Sequence, residues 1–359
     1  MKIIRAEVAE LDLALRRPLR TAKGVIETRR GFVLRLTSDD GLQGLGEASP
    51  AYWLGGEEIG ETRVSLDRLL ARSRTRAISS DLRRLFSLSP AATCALDSAL
   101  LDLKARTWGL SLGALLGGEE SGSLPVCALL AERDLDSLTA EAERAAREGY
   151  RCVKLKLGGG PIADDIDRVR EVHGRVGCSV AIRIDANRAW SFPEAKDALS
   201  ALAPLDVELI EEPLRSADPR ELASLRRETG ARIAVDESLV RIENLWTIVQ
   251  AEAADAVVLK TARLGGPTAT LRIARAALAA GLAVVVTDSI ETSIGAAVAA
   301  HLAAALPPPR RAIGLGGASL LAADLTADGK PHPAPFVQPA GPGLGLDPLA
   351  AGKGLAWRG

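Results

Sequence analysis

The sequence has almost no net charge, which argues against a nucleic-acid or membrane-surface partner. Across 359 residues, 45 Lys and Arg are balanced by 46 Asp and Glu, which leaves a formal charge of -1. Nucleic acids and anionic membrane surfaces select a basic excess, so we expect neither as a partner. No apolar run reaches the roughly 20 residues that a transmembrane helix needs. The N-terminus carries charges where a signal peptide would be apolar.

Cysteine is scarce, and its spacing fits no familiar metal or disulfide motif. Cys94, Cys127, Cys152 and Cys178 lie at least 25 residues apart, so the sequence has no CxxC pair and no zinc knuckle. We therefore expect a reducing cytoplasm, with the thiols as small buried apolar groups. Signatures of serine hydrolases, zinc proteases and P-loop enzymes are also absent.

The chain divides into two parts with different patterning. Alternating residues at 3–15 and 31–47, around an Asp-Gly turn, predict antiparallel strands. The 91–106 segment carries the apolar stripe of a helix. From about residue 124, eight short β-branched runs alternate with seven helical patterns and start 23 to 29 residues apart. One βα unit of a parallel barrel has about this length.

This repeat favours a closed barrel over an open doubly wound sheet, because the units are even and no glycine fingerprint opens a helix. We predict an N-terminal α+β domain over 1–120 and a barrel over 121–319. The Pro- and Gly-rich segment over 320–359 is expected to pack back on the N-terminal domain.

Ionisable residues stand at the ends of the predicted barrel strands, where such barrels form their active sites. Lys154 precedes Lys156 by two residues, so both share one face of a strand. Consecutive strands then end in Lys156, Asp185, Glu211, Asp236 and Lys260. Three carboxylates at one locus repel one another unless a cation joins them. Oxygen ligands suit Mg²⁺, whereas zinc calls for histidine or cysteine.

A metal ion between lysines suits proton abstraction next to a carboxylate. The ion can hold a substrate carboxylate and stabilise extra negative charge on it. A lysine beside another cation can then remove the α-proton. The product of that step is an enediolate, from which elimination, racemisation or cycloisomerisation follows. His173, His301 and His332 fall in helical or tail segments, and we interpret them as surface or packing residues.

These motifs together resemble the enolase superfamily, in its muconate-lactonizing branch. The motifs are K-x-K at Lys154, D-A-N at Asp185, E-E-P at Glu211, D-E-S at Asp236, and the barrel lysine Lys260. The resemblance covers nearly the whole chain. It implies an α/β fold, a (β/α)7β modified TIM barrel with an α+β capping domain from the N-terminal part and the tail. The mandelate-racemase branch would have a histidine in place of Lys260.

The resemblance also implies roles for the motif residues. The three carboxylates, Asp185, Glu211 and Asp236, would bind one Mg²⁺ per active site. Lys156 would take the α-proton and then help hydroxide leave as water. Lys154 would favour the basic form of its neighbour and meet the substrate carboxylate, and Lys260 would stabilise the enediolate from across the barrel.

Within that branch, the sequence is most similar to the o-succinylbenzoate synthase family. Four stretches carry this similarity: 18–24, 183–190, 289–295 and 314–325. It implies a hydro-lyase of menaquinone biosynthesis that converts 2-succinyl-6-hydroxy-2,4-cyclohexadiene-1-carboxylate to 2-succinylbenzoate and water. The implied partner is thus a small carboxylate, and a homo-oligomer is compatible with the sequence.

The implied substrate contacts are Thr21, Lys23, Lys154, Asn187, Ser289, Glu291, Gly314 and Gly316. Arg183 and Glu237 would stand behind the metal ligands and orient them. One alternative is a dipeptide epimerase or N-acylamino acid racemase of the same branch, which would use the same lysines. Another is a barrel that binds a ligand without turnover, which the intact set of six motif residues disfavours.

Overall fold

The N-terminal part is an antiparallel sheet covered by helices. The computed structural model describes residues 2–21, 24–73, 87–119, 122–325 and 335–359. The sheet pairs β1 (Ile3–Thr21), β2 (Gly24–Ser38) and β3 (Gln43–Ala48) in chain order. The helices are α1 (Ile59–Ser73) and α2 (Pro90–Trp108).

Helix α2 lies directly against β3, because glycine lets the two backbones approach. A Cβ at Gly46 would stand 1.9 Å from the carbonyl oxygen of Ala95, and one at Gly44 would stand 2.3 Å from that of Ala99. Any side chain there would push the helix off the sheet. The apolar stripe predicted for this helix is buried against the sheet.

The hairpin predicted around the Asp-Gly turn is present, with Phe32 paired to Ala48. The 18–24 segment is the stretch that resembles a substrate-covering loop of the o-succinylbenzoate synthase family, and Leu19 of this segment lies in one apolar cluster with Ile290 and Leu321. Leu19 pairs with Ile26, and Thr21 pairs with Gly24, so the segment belongs to the β1–β2 hairpin. The pairing continues past the predicted strand end after a register shift between Ala14 and Leu19. Lys23 lies outside the described residues.

A short helix, α3 (Leu112–Leu115), and strand β4 (Ser123–Leu124) lead into the C-terminal part. Within the described ranges, that part holds a sheet of seven parallel strands, whose neighbours follow chain order. The strands are β5 (Ala128–Leu130), β6 (Cys152–Lys156), β7 (Ala181–Asp185), β8 (Leu209–Glu211), β9 (Ile233–Val235), β10 (Ala256–Lys260) and β11 (Ala283–Thr287).

A helix follows each of these strands and packs on the outside of the sheet. In order they are α4 (Leu135–Arg147), α5 (Ile162–Val176), α6 (Phe192–Leu202), α7 (Pro219–Thr229), α8 (Ile242–Ala251), α9 (Pro267–Ala279) and α10 (Ser293–Ala304). Each strand and helix buries apolar side chains in one continuous core between the two layers.

The ring is closed by two isolated parallel bridges over 312–317, the last of the eight runs that were predicted as strands. Ile313 pairs with Val126, and Gly314 pairs with Thr287. The eighth strand is thus shorter than predicted. Three of its six predicted positions are glycine, which weakens strand pairing. The arrangement is a (β/α)7β barrel closed by a minimal eighth segment.

The C-terminal segment returns to the N-terminal sheet. Two further short elements, β12 (Phe336–Val337) and α11 (Pro348–Ala351), lead to β13 (Trp357–Arg358), which pairs with β1. Leu321 also bridges to Leu15. No helix in the described ranges has both the length and the apolar content to cross a bilayer.

Candidate active site

Two lysines and two carboxylates meet at the carboxyl ends of β6, β7 and β8. Lys154 Nζ lies 2.8 Å from Asp185 Oδ2 and 2.7 Å from Glu211 Oε2. Lys156 Nζ lies 2.8 Å from the same Asp185 oxygen. Strand register explains this convergence, because Lys156 pairs with Asp185, which in turn pairs with Glu211. Both ammonium groups therefore face the same interior, as the two-residue spacing predicts.

The other half of the cluster is an aspartate held by two cations. Lys260 Nζ donates to Asp236 Oδ2, and Arg263 Nη1 donates to Asp236 Oδ1 at 2.8 Å. Arg263 Nη2 also donates to the Asp236 carbonyl at 2.7 Å. The sequence reasoning missed Arg263, although it follows Lys260 by only three residues. Its buried guanidinium fixes the orientation of the Asp236 carboxylate.

Burial and charge crowding set the ionisation of these carboxylates. Burial opposes ionisation of Asp185, but Lys154 and Lys156 outweigh it and hold its pKa well below the usual range. Burial and repulsion from Asp185 raise the pKa of Glu211 to about 8, despite the ion pair with Lys154. Asp236 resembles Asp185, because Lys260 and Arg263 overcome burial and lower its pKa.

The donor set fits a hard divalent cation. In the described ranges, no group of three acidic, histidine or cysteine side chains is already arranged to hold a metal ion. One oxygen each of Asp185, Glu211 and Asp236 is instead paired with a lysine. However, Glu211 Oε1 is buried with no hydrogen-bond partner among those residues. A buried oxygen without a partner is costly, and an ion bound by oxygen ligands would satisfy it.

Asn187 and Glu237 extend the network around Lys156. The amide oxygen of Asn187 accepts from Lys156 Nζ at 3.0 Å, and its amide nitrogen donates to Glu237 Oε1 at 3.1 Å. Asn187 has a φ of 45°, in the left-handed region that asparagine adopts more readily than most non-glycine residues. The structure thus places Asn187 against the lysine, where it orients the ammonium group.

Glu212 is a support that the E-E-P motif contained but the sequence reasoning did not use. Its Oε1 accepts the backbone N–H groups of Asp236 at 2.8 Å and Ser238 at 2.7 Å. Its Oε2 accepts from Arg188 Nε at 3.1 Å. Glu212 therefore ties the end of β8 to the segment after β9 and holds Asp236 in position.

Arg183 lies deeper in the barrel than its predicted place behind the metal ligands. Its Nε donates to Glu208 Oε2 at 2.8 Å, and its Nη1 donates to the Ala312 carbonyl at 2.7 Å. Glu208 comes just before the start of β8, and Ala312 comes just before the bridged residues of the eighth segment, so both lie on the amino side of the barrel. Two residues along a strand span about 6.6 Å, which separates Arg183 from the level of Asp185.

The segment after β11 lies under the capping domain. Ser289 Oγ and Glu291 Oε1 are buried and have no hydrogen-bond partner in the part of the chain that the structure describes. Burial and the nearby charges of Asp288 and Glu47 raise the pKa of Glu291 to about 8. Buried polar atoms without a partner, such as these two oxygens, can form hydrogen bonds with polar groups of a substrate.

Arg29 of the capping domain holds this segment in place, and the sequence reasoning missed it. Its Nε donates to the Ile290 carbonyl at 2.8 Å, and its Nη1 donates to the Pro50 carbonyl at 2.6 Å. Its guanidinium also lies 4.9 Å from the centre of a Trp53 ring. Ile290 has a φ of 62°, which is strained for a β-branched residue. Arg29 thus stabilises an unfavourable backbone conformation at the barrel mouth.

Gly314 and Gly316 bring backbone but no side chain to the barrel mouth. The Gly314 carbonyl accepts from Asp288 N at 2.8 Å. A Cβ on Gly314 would stand 2.5 Å from Thr287 Oγ1, and one on Gly316 would stand 3.3 Å from the Leu129 Cβ. A larger residue at 314 would therefore force Thr287 to move, and one at 316 would be crowded. Thr21 is the last residue of β1.

A capping-domain carboxylate binds the N-terminus of α10. Glu47 accepts the backbone N–H groups of Thr292 at 3.1 Å and Gly295 at 3.0 Å, and the Thr292 hydroxyl at 2.5 Å. A carboxylate is favourable there because the first N–H groups of a helix lack partners and carry positive partial charge.

We expect Glu47→Ala to lower the free energy of unfolding by about 1–3 kcal/mol, because buried donors lose their acceptor. Urea unfolding followed by tryptophan fluorescence measures the change. Glu228→Ala is the matched control, since its carboxylate is an exposed partner of Lys196 and should contribute little. Equal stabilities for the two variants would contradict the role of Glu47.

Known proteins match this chain along nearly its full length. It is 32% identical over 313 residues to an L-Ala-D/L-Glu epimerase of Bacillus subtilis (strain 168), covering 85% of each chain. It is 32% identical over 361 residues to a chloromuconate cycloisomerase of Pseudomonas putida, covering 97% of this chain and 96% of the relative.

Solved structures of such proteins share the fold. The substrate-liganded L-Ala-D/L-Glu epimerase from Bacillus subtilis superposes with a TM-score of 0.88 at 29% identity, over 99% of this chain and 100% of that chain. A dipeptide epimerase from Enterococcus faecalis V583, complexed with Mg and L-Leu-L-Tyr, gives a TM-score of 0.86 at 26% identity, over 96% of this chain and 99% of that chain.

Two family models account for both parts of the chain. Residues 3–117 match the mandelate racemase / muconate lactonizing enzyme N-terminal domain, and residues 137–351 match the enolase C-terminal domain-like family. The predicted superfamily is thereby confirmed. With its lysines and carboxylates at the barrel mouth, this chain belongs to the enolase superfamily, in its muconate-lactonizing branch.

Proposed function

We propose that the enzyme removes a proton α to a substrate carboxylate, with Asp185, Glu211 and Asp236 holding one Mg²⁺. The observation that carries this proposal is that Lys156 and Lys260 lie at opposite ends of a row of three buried carboxylates, with Lys154 bound to the middle one. When bound, the ion would supply a positive charge that stabilises the enediolate. The related dipeptide epimerase solved with Mg supports the choice of ion.

Exposure assigns different tasks to the lysines. The Lys156 side chain is 38% exposed, against 18% for Lys154 and 7% for Lys260. Lys156 therefore faces the opening through which a substrate enters, and we assign it as the base at Nζ. After abstraction, its ammonium can return the proton to a leaving hydroxide. The buried ammonium of Lys260 faces the charge that develops on the opposite side.

The proposed reaction is the o-succinylbenzoate synthase reaction, a dehydration in menaquinone biosynthesis in the cytoplasm. The support is the chemistry of the barrel mouth. Gly314 and Gly316 carry no charge with which to bind a substrate ammonium, and burying an unpaired cation is costly. Asp288 lies against this segment, but it accepts backbone N–H groups from Gly317 and Ile290 at 3.0 and 3.3 Å. Because positions 314 and 316 offer no charged side chain to an ammonium group, we assign this mouth to a succinyl tail rather than to a free amine.

A second candidate is epimerisation of dipeptides or racemisation of N-acylamino acids. The similarity to the Bacillus subtilis epimerase, in sequence and in structure, favours it. An N-acyl substrate lacks a free amine, so the glycines do not weigh against that substrate. Both candidates need Lys156 and Lys260, so only a substrate test separates them.

We expect dehydration of 2-succinyl-6-hydroxy-2,4-cyclohexadiene-1-carboxylate and little deuterium uptake into Ala-Glu. Loss of the diene absorbance measures the first reaction, and mass spectrometry of the dipeptide in D₂O measures the second. The Lys156→Ala enzyme, purified in parallel, corrects both assays for contaminating activity. Rapid exchange of the dipeptide α-proton without consumption of the diene would overturn the dehydratase proposal and establish the second candidate.

A further inference from the structure

Two cysteines face each other on the floor of the barrel, opposite the active-site mouth. The sulfur atoms of Cys127 and Cys152 lie 2.9 Å apart. Both residues are buried, with 5% and 3% of their surface exposed. Cys152 begins β6, and Cys127 immediately precedes β5. The sequence spacing gave no sign of this pair, because 25 residues separate its members.

Strand register makes the two positions direct neighbours. Ala128 pairs with Val153 in parallel register, so the residue before each faces its counterpart across the same pair of strands. Neighbouring strands lie about 4.8 Å apart, which falls within the roughly 4.4–6.8 Å between Cα atoms in disulfides. A bond of about 2.05 Å requires the sulfurs to approach by less than about 1 Å.

The positive charges of Arg183 and Lys154 favour the thiolate of Cys127, whereas Glu208 opposes ionisation of both thiols. Burial opposes ionisation of Cys127, but the hydrogen bond from Cys152 and the positive charges of Arg183 and Lys154 lower its pKa. Glu208 Oε2 lies 3.8 Å from the Cys152 sulfur. The Glu208 side chain is 17% exposed, so the carboxylate beside Cys152 is itself partly open to solvent.

We propose that Cys127 and Cys152 form an oxidation site that closes to a disulfide with peroxide as the oxidant. The Cys127 thiolate attacks one peroxide oxygen and breaks the O–O bond, which gives a sulfenic acid and water after protonation. The Cys152 sulfur then attacks the oxidised sulfur, forms the S–S bond and expels a second water. Two thiols lose two electrons in total, and one hydrogen peroxide is reduced to two waters.

The bond would link β5 to β6, the strand that carries Lys154 and Lys156. Cys152 shares the inward face of β6 with Lys154, two residues further along. The first strand of the barrel would thus be joined covalently to the strand that bears the proposed base.

The test is oxidation of the reduced, desalted full-length protein with hydrogen peroxide. We expect the number of thiols that react after denaturation to fall from four to two, with a mass loss of about 2 Da for the two hydrogens removed. A non-reducing tryptic digest should contain a fragment that joins Cys127 to Cys152. Dithiothreitol should restore all four thiols.

Two variants make this result specific. Cys152→Ser should form no intramolecular disulfide, whereas Cys178→Ser, which alters an exposed thiol, should still lose two thiols. The proposal is overturned if the wild-type protein keeps four thiols, or if the crosslink contains Cys178. Accumulation of sulfinic acid without a crosslink would also overturn it. Oxidation of wild-type protein is read directly by mass, so the result does not depend on whether either variant folds.

Discussion

Replacing Lys156 with alanine should lower turnover by at least the roughly 10²–10⁴-fold that a general base contributes. The structure gives the reason. Lys156 Nζ is positioned by Asp185 at 2.8 Å and by Asn187 at 3.0 Å, and it faces the barrel opening. Alanine removes the basic nitrogen without adding bulk. The initial rate on the diene, measured at saturating substrate, is the primary readout.

Two comparisons make the Lys156 result interpretable. Lys196→Ala removes an exposed lysine that is paired with Glu228 on the outside of the barrel, and this variant should retain full activity. Lys260→Ala should also be severely impaired, because a buried ammonium no longer faces the developing charge. A Lys156→Ala enzyme that turns over near the wild-type rate would refute the assignment of the base.

Removal of divalent metal should abolish turnover, and Glu211→Gln should severely weaken Mg²⁺ binding. Losing even an outer-shell partner of a metal ligand costs about 10–100-fold in affinity, so losing a charged ligand should cost more. Glutamine keeps the shape of the side chain but supplies a neutral oxygen and a donor nitrogen. Calorimetric titration of EDTA-dialysed protein with MgCl₂ measures binding independently of activity.

Glu228→Gln is the control for the metal experiment, because it removes a surface carboxylate far from the cluster. It should bind Mg²⁺ as the wild-type protein does and regain full activity when Mg²⁺ is added back. Full activity of the wild-type enzyme after metal removal would rule out the metal site. Unchanged Mg²⁺ affinity in Glu211→Gln would remove Glu211 from the set of ligands.

The sequence predicted the lysines and carboxylates because their placement follows local rules. A strand has a period of two residues, and a parallel barrel collects its strand ends at one mouth. Lys154, Lys156, Asp185 and Glu211 need only these two rules to converge. Arg263 was equally close in sequence to a predicted residue, but no strand periodicity places it, since it lies in the turn after β10.

Contacts between distant segments escaped prediction. The bond between Arg29 and Ile290 joins residues 261 positions apart, and Thr292 bonds Glu47 across 245 positions. No motif at either position indicates its partner. The eighth segment is shorter than predicted for a different reason, because three of its six residues are glycine, which weakens strand pairing.

The contacts of Glu47 and Arg29 have a consequence for engineering by domain exchange. Glu47 holds the start of α10, and Arg29 holds Ile290 just before it. A capping domain transplanted from a relative would bring its own residues to these two points. Unless Thr292 and Ile290 were changed with it, the N–H groups at the start of α10 would lose their acceptor. The Ile290 carbonyl would also lose its hydrogen-bond donor. Chimeras of this barrel should therefore take the 289–295 segment from the same protein as the capping domain.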